Sequence, residues 1–190
     1  MKAYKPYLIV FGLFVLLMFI LPIFSFEGYS ILSNTTSDLG AQKAPLNWLM
    51  NAGFIALGIT VLLEGRQRME NYPIAKIMLY FFSISLIGVG LFNQRPLTDE
   101  TANLAVDLFH SIFATSTGFS FSFLAFVMVF IFVKPLDKNL ALAVAIIAIV
   151  IPISMTLMPN IQGLLQRLMF LIAFSWLLYT FYRLDQIDAK

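Results

Sequence analysis

Apolar residues fill six long runs of the chain, about Tyr7 to Phe24, Leu46 to Leu63, Ile74 to Phe92, Leu108 to Val133, Leu140 to Leu157 and Leu164 to Tyr182. Polar and charged residues collect in the passages between them. Crossing a hydrocarbon layer about 30 Å thick takes roughly 20 helical residues, because in lipid each backbone N–H and C=O must be satisfied within its own segment. The pattern therefore predicts an all-α, polytopic membrane protein: a six-transmembrane-helix bundle forming a single six-span domain over residues 1–190. No stretch between the runs is long enough to hold a soluble domain.

Composition strengthens this picture. Apolar residues make up 60% of the chain and charged residues 12%, well outside the balance of a soluble domain. The first run follows Lys2 and Lys5 but lacks a small-x-small cleavage site and ends in "LPIFSFEGY", so it is read as a retained span. Lysine and arginine stay on the cytoplasmic side during insertion. Placing both termini in the cytoplasm puts Lys2, Lys5, Arg66, Arg68, Lys76, Lys134, Lys138, Arg183 and Lys190 inside, and leaves Lys43, Arg95 and Arg167 outside. The expected location is the plasma membrane, crossed several times.

Chemistry is bounded by what the runs omit. There is no cysteine, hence no disulfide and no thiolate site, and the single His110 excludes a haem held by two histidines. The middle of each span carries no ionisable residue, which argues against a proton pump, a voltage sensor or a lysine-bound retinal. No cofactor and no metal centre is expected, no basic cluster suits nucleic acid, and protein partners are unknown. A cation site built from Asp38, Asp99 and Asp107 is the weak exception.

The polar residues that do enter the spans cluster near the outer ends. Asn47 and Asn51 share a face of span two, Gly163 and Arg167 share one of span six, and His110, Ala114, Gly118 and Ser122 recur every fourth residue along span four. Small residues at that spacing let helices approach closely, so this stripe is expected to face the bundle. Together these residues predict a polar ring at the outer mouth. Thr98, Asp99 and Glu100 supply an expected helix start for span four above the membrane surface.

Each pointed residue has two readings. Asp38, in "TTSDLG", would act as a general base, a metal ligand or a partner for Arg167 or His110, or else Ser37 or Asp38 caps span two or a short loop helix with Gly40 supplying a special turn. His110, with Asp107 three residues before it, would form the core of an intramembrane hydrolase or transferase with a serine such as Ser37, Ser111 or Ser116; otherwise it packs as a structural histidine. Arg167 would fork onto a lipid phosphate, or serve as an anchor or internal ion pair. Trp48, Trp176, Tyr29 and Tyr182 read as interfacial aromatics.

Taken in order, "YSILSNTTSDLG", "PLNWLMNAGFIALG", "GVGLF", His110 at the head of span four and "GLLQRLMFLIAFSWLL" resemble the bacterial membrane proteins of domain of unknown function family 998. The resemblance implies that Ser37, Asp38, Gly40, Pro45, Asn51, Gly58, His110, Gly163 and Arg167 are the family positions. Asn93 and Gln166 depart from it, where relatives tend to have proline and often have glutamate. The serine, aspartate, glycine element is also distantly similar to the Frag, DRAM and Sfk group of six-span proteins, some linked to lipid organisation.

The function expected from these residues is recognition or handling of a lipid or other amphiphile, alongside membrane lipids generally, in an outward-facing polar pocket roofed by the first and third loops. Ser37, Asp38, Asn51, His110 and Arg167 are its expected ligand-binding residues, with Arg167 on an anionic headgroup. His110, Asp38 and Asp107 are the candidates for catalysis under the hydrolase or transferase alternative. A noncatalytic assembly or accessory subunit is the third reading.

Overall fold

The structure is a computed structural model and describes residues 5–96 and 101–187. Six helices are long and apolar enough to cross a membrane. They are α1 (Lys5–Ile20, continued by a 3-10 turn to Phe24), α3 (Asn47–Arg68), α4 (Pro73–Leu91), α5 (Leu104–Ile131), α6 (Pro135–Leu157) and α7 (Gln162–Ile187, preceded by a 3-10 turn from Pro159). A four-residue helix, α2 (Thr36–Leu39), lies in the connection between α1 and α3. All six predicted spans are present, and among the described residues there is no strand.

Proline sets several of the starts. Pro73 and Pro135 stand in the first turns of α4 and α6, where a missing N–H leaves no helical hydrogen bond unmade. The expected start of span four at Thr98 to Glu100 lies outside the described residues. The helix itself begins at Leu104, where Asn103 Oδ1 accepts hydrogen bonds from the Ala105 and Val106 N–H groups at 3.0 and 3.3 Å. Pro152 falls inside α6 and removes the N–H that would have bonded the Ala148 carbonyl.

Consecutive helices pack side by side, α3 on α4, α4 on α5, α5 on α6 and α6 on α7, while α1 packs on α3 and α7. The spans thus close a ring in chain order. One end, here the turn face, carries the tight connections 69–72 and 132–134; the other, the loop face, carries the long ones, 21–46 and 92–103. Tyr7 at the start of α1 donates to the Phe174 carbonyl at 2.7 Å and meets the Phe181 ring edge-on, so α1 and α7 run antiparallel.

Aromatic rings fill the middle of the ring of helices. Phe14 lies 5.2, 5.7 and 5.9 Å from the rings of Phe54, Phe170 and Phe174, and Phe82 contacts both Phe121 and Phe174. Lipid tails are as apolar as these side chains, so packing contact, rather than escape from water, holds the layer together. Trp176 belongs to this core. It is 5% exposed and sits edge-on to Phe121, a correction to its reading as an interfacial belt residue; its place late in span six hid the fact that α7 is walled by α1, α3 and α6 there. Trp48, by contrast, is 63% exposed. Phe14→Ala empties the centre of the layer and is expected to cost about 3–5 kcal/mol, read as a lowered unfolding midpoint in detergent.

Candidate functional site

The first long connection is moulded around one cation. Arg167, in the second turn of α7, is 1% exposed, yet no carboxylate lies within 4 Å of it among the described residues. Its Nε donates to the Met18 carbonyl at 3.1 Å, its Nη1 to the carbonyls of Ile31, Asn34 and Gly163 at 3.1, 2.8 and 2.9 Å, and its Nη2 to the Tyr29 hydroxyl at 2.6 Å. Met18 is among the last residues of α1, where carbonyls at the negative end of the helix favour a cation. Gly163, one turn earlier, completes the fit. A Cβ there would fall 2.1 Å from the Asn34 carbonyl oxygen, so only glycine lets the loop reach α7. The Leu164 N–H takes the Leu32 carbonyl at 3.1 Å.

Tyr29 extends the same network. Its hydroxyl accepts from Arg167 and donates to the Thr35 carbonyl at 2.8 Å, so it is a structural link and not a belt residue. Burial raises its pKa above the ordinary tyrosine value, the neighbouring Arg167 charge and hydrogen bond pull it down, and the Asp38 charge adds to the rise.

Asp38 caps α2. Its carboxylate accepts from the Thr35 N–H at 2.7 Å while the Thr35 hydroxyl accepts from the Asp38 N–H at 3.2 Å, a reciprocal capping box. The second carboxylate oxygen accepts from Gln94 Nε2 at 2.7 Å. Asp38 and Arg167 form no direct bond among the described residues and are linked through the Asn34–Thr35 peptide and Tyr29. Gly40 has an ordinary backbone, φ −92°, so the special turn expected of it is absent; its value is closeness, since a Cβ would lie 2.3 Å from Asn51 Oδ1. Asn51 and Asn47, on the shared face of α3, donate to the carbonyls of Gly40 and Ala41, each at 3.0 Å.

His110 closes the end of α4. Its Nδ1 is 2.7 Å from the carbonyl of Phe92, the residue that caps that helix, and since a carbonyl can only accept, Nδ1 carries the proton. Asp107 accepts from the Arg95 N–H at 2.8 Å. The acid and the imidazole that were candidates for one catalytic set thus serve different partners. Asp99 lies outside the described residues, and Asp38 and Asp107 accept from different partners, Gln94 and Arg95; among the described residues no group of three metal-ligating side chains forms. The two loops lock together above the bundle through Gln42, which bonds Gln94, Asn93 and Asn103.

Below that roof lies a cavity of about 570 Å³ between α4, α5, α6 and α7 in the loop-face half of the bundle. Phe82, Phe121 and Phe174 form its deep end, and Ser37 and Gln166 its polar end. Among the described residues no charged side chain lines it. Of the five predicted ligand-binding residues only Ser37 does; Asp38, Asn51, His110 and Arg167 are not on its wall. Ala114, Gly118 and Ser122 all line it, so the stripe of small residues expected to bring helices together instead makes room. A Cβ on Gly118 would meet nothing within 4 Å. The cavity opens sideways: of its lining residues, Phe119 on α5 is 71% exposed, and Ile149 and Ile153 on α6 are 54% and 55% exposed.

With this geometry in view, comparison with known proteins is informative at the family level. A family described as "Protein of unknown function (DUF998)" matches residues 8–182. The chain belongs to the DUF998 family. No curated protein and no solved structure matches it. The match runs from within the first span of this DUF998 chain to within the sixth and includes the loop that encloses Arg167 and the residues that line the cavity.

Sequence reasoning missed Gln166 as a site residue, and Thr36, whose N–H and hydroxyl both donate to Gln166 Oε1 at 2.7 Å. A glutamine in the first turns of an apolar helix was the available signal. It also missed the buried pair at the turn face, where Arg183 Nη2 and Tyr179 hold Asp137, each at 2.6 Å.

Two outcomes are expected. Arg167→Lys keeps the charge but not the fork, and should lower stability by about 2–4 kcal/mol and expose residues 29–41 to protease. The Tyr29 pKa is raised in the folded state, so its contribution is fully present below the unfolded value and is lost as pH rises through the folded one. Unfolding midpoints should therefore hold up to about pH 10 and fall above it, and Tyr29→Phe should remove part of that alkaline fall.

Proposed function

We propose that this DUF998 protein binds an amphiphile in the cavity between α5, α6 and α7, reached sideways from the lipid. The supporting observation is the cavity itself. Its volume of about 570 Å³ falls within the roughly 300–1,000 Å³ of small-molecule sites, and its wall is mostly apolar, with Ser37 and Gln166 at one end and the hydroxyls of Thr117 and Ser122 along α5 bonded to their own helix. An amphiphile has the same division. The exposed residues on its α5 and α6 walls mark the entry, and the interlocked loops shut the end that faces water.

In this reading the protein sits in the plasma membrane with the turn face in the cytoplasm. Lys5, Arg66, Arg68, Lys76, Lys134, Lys138 and Arg183 belong to that face, against Lys43 and Arg95 in the loops of the other, the asymmetry that insertion favours. Both termini are then cytoplasmic and the cavity belongs to the outer leaflet. Holding or presenting a lipid is favoured over hydrolysis or group transfer, because His110 and Asp107 are engaged with Phe92 and Arg95 and neither lines the cavity. Arg167 serves the fold in this account and Ser37 serves the ligand.

The experiment is extraction of lipid from protein purified in mild detergent. Wild-type protein is expected to retain an amphiphile at near one per chain, and Gly118→Phe, which puts a ring into the cavity from a position where a Cβ meets nothing within 4 Å, should retain about tenfold less at an unchanged unfolding midpoint. Equal retention by the two proteins would refute the cavity as the binding site.

A further inference from the structure

The polar end of the cavity carries more information than its shape. Thr36 offers two donors, its N–H and its hydroxyl, and both point to one atom of Gln166. A backbone N–H can only donate, so the atom it meets is the amide oxygen, and the Gln166 NH2 must be the other arm. Among the described residues no hydrogen bond uses that NH2, and Gln166 lines the cavity. Ser37, beside Thr36 on α2, is 8% exposed and also lines the cavity, and no hydrogen bond among the described residues uses its hydroxyl. Gln166 is half-buried and both groups border the cavity with donors that no bond within the described residues uses, so both are free to meet something that enters.

What they can meet is restricted. An amide NH2 donates only, and a hydroxyl donates or accepts, so the entering group must offer acceptors such as an ester carbonyl or a hydroxyl oxygen. It must also be uncharged. No cation among the described residues lines the cavity to offset a phosphate, and the guanidinium of Arg167 is turned away into the loop, onto four carbonyls and a phenol. An anion taken into this apolar space would bear its desolvation cost with nothing to oppose it.

Resting on the amphiphile reading above, we infer that the occupant is a neutral lipid with an ester or hydroxyl polar end, of the acylglycerol type, whose acceptors are taken by Ser37 Oγ and Gln166 Nε2. Its chain runs down the cavity toward Phe82, Phe121 and Phe174, and the anionic phospholipids around the protein are excluded. Gln166 acts as the selector. A glutamate there would keep the acceptor that Thr36 requires and put a carboxylate oxygen where the ligand needs a donor.

The test is native mass spectrometry of the full-length protein, delipidated and offered equal amounts of dioleoylglycerol and dioleoylphosphatidylglycerol. Wild type is expected to carry the dioleoylglycerol adduct in about tenfold excess; Gln166→Glu should lose most of it, and Ser37→Ala, which gives up no hydrogen bond among the described residues and should keep the wild-type unfolding midpoint, should weaken it several-fold. Equal or greater binding of the phosphatidylglycerol by wild type would overturn the neutral-lipid assignment alone. Adducts of neither lipid would overturn the amphiphile reading as well. Undiminished dioleoylglycerol binding by both variants would overturn the roles given to Ser37 and Gln166.

Discussion

A guanidinium buried without a counter-ion is the constraint on which the loop face depends. Arg167 is 1% exposed, and its charge is balanced by dipoles: carbonyls from α1, from the first loop and from its own helix, with the Tyr29 hydroxyl. Loop backbone near a membrane has few ways to satisfy its carbonyls, and here one side chain satisfies several at once. The loop's path follows from that. Gly163 gives it a place to lie, Tyr29 ties its start to Thr35, and the capping box of Thr35 and Asp38 turns it into α2.

The consequence of that path is the polar end of the cavity. With Thr35 as the cap, Thr36 and Ser37 fall in the first turn of α2; Thr36 then takes Gln166, and Ser37 lines the space below. Arg167 and Gln166 are neighbours in sequence with opposite duties. One is turned into the loop and spent on folding, and the other reaches the cavity with its donor unspent. Arg167 holds the loop through bonds from all three of its nitrogens and is not on the cavity wall.

The spans were plain in the sequence because length and hydropathy determine them, and the even count with short charged turns gave their order. The polar cluster was legible as a set of residues, since Asp38, Asn51, His110, Gly163 and Arg167 do gather at the loop face. Their roles were not. Whether an arginine meets a phosphate or a carbonyl depends on where loop backbone passes, and no spacing of side chains reports that. The stripe of Ala114, Gly118 and Ser122 failed for a related reason: small residues permit either a close helix or an empty space, and which one occurs depends on α6 and α7. Pro152, inside α6, lines the cavity as well.

The most direct test of this division of labour is an experimental structure determined from a lipid mesophase without prior delipidation. The account predicts continuous density entering between α5 and α6 and ending at Ser37 and Gln166, with the Arg167 guanidinium on the carbonyls of Met18, Ile31 and Asn34. A phosphate bound to Arg167, or α5 and α6 closed together over an empty interior, would contradict it.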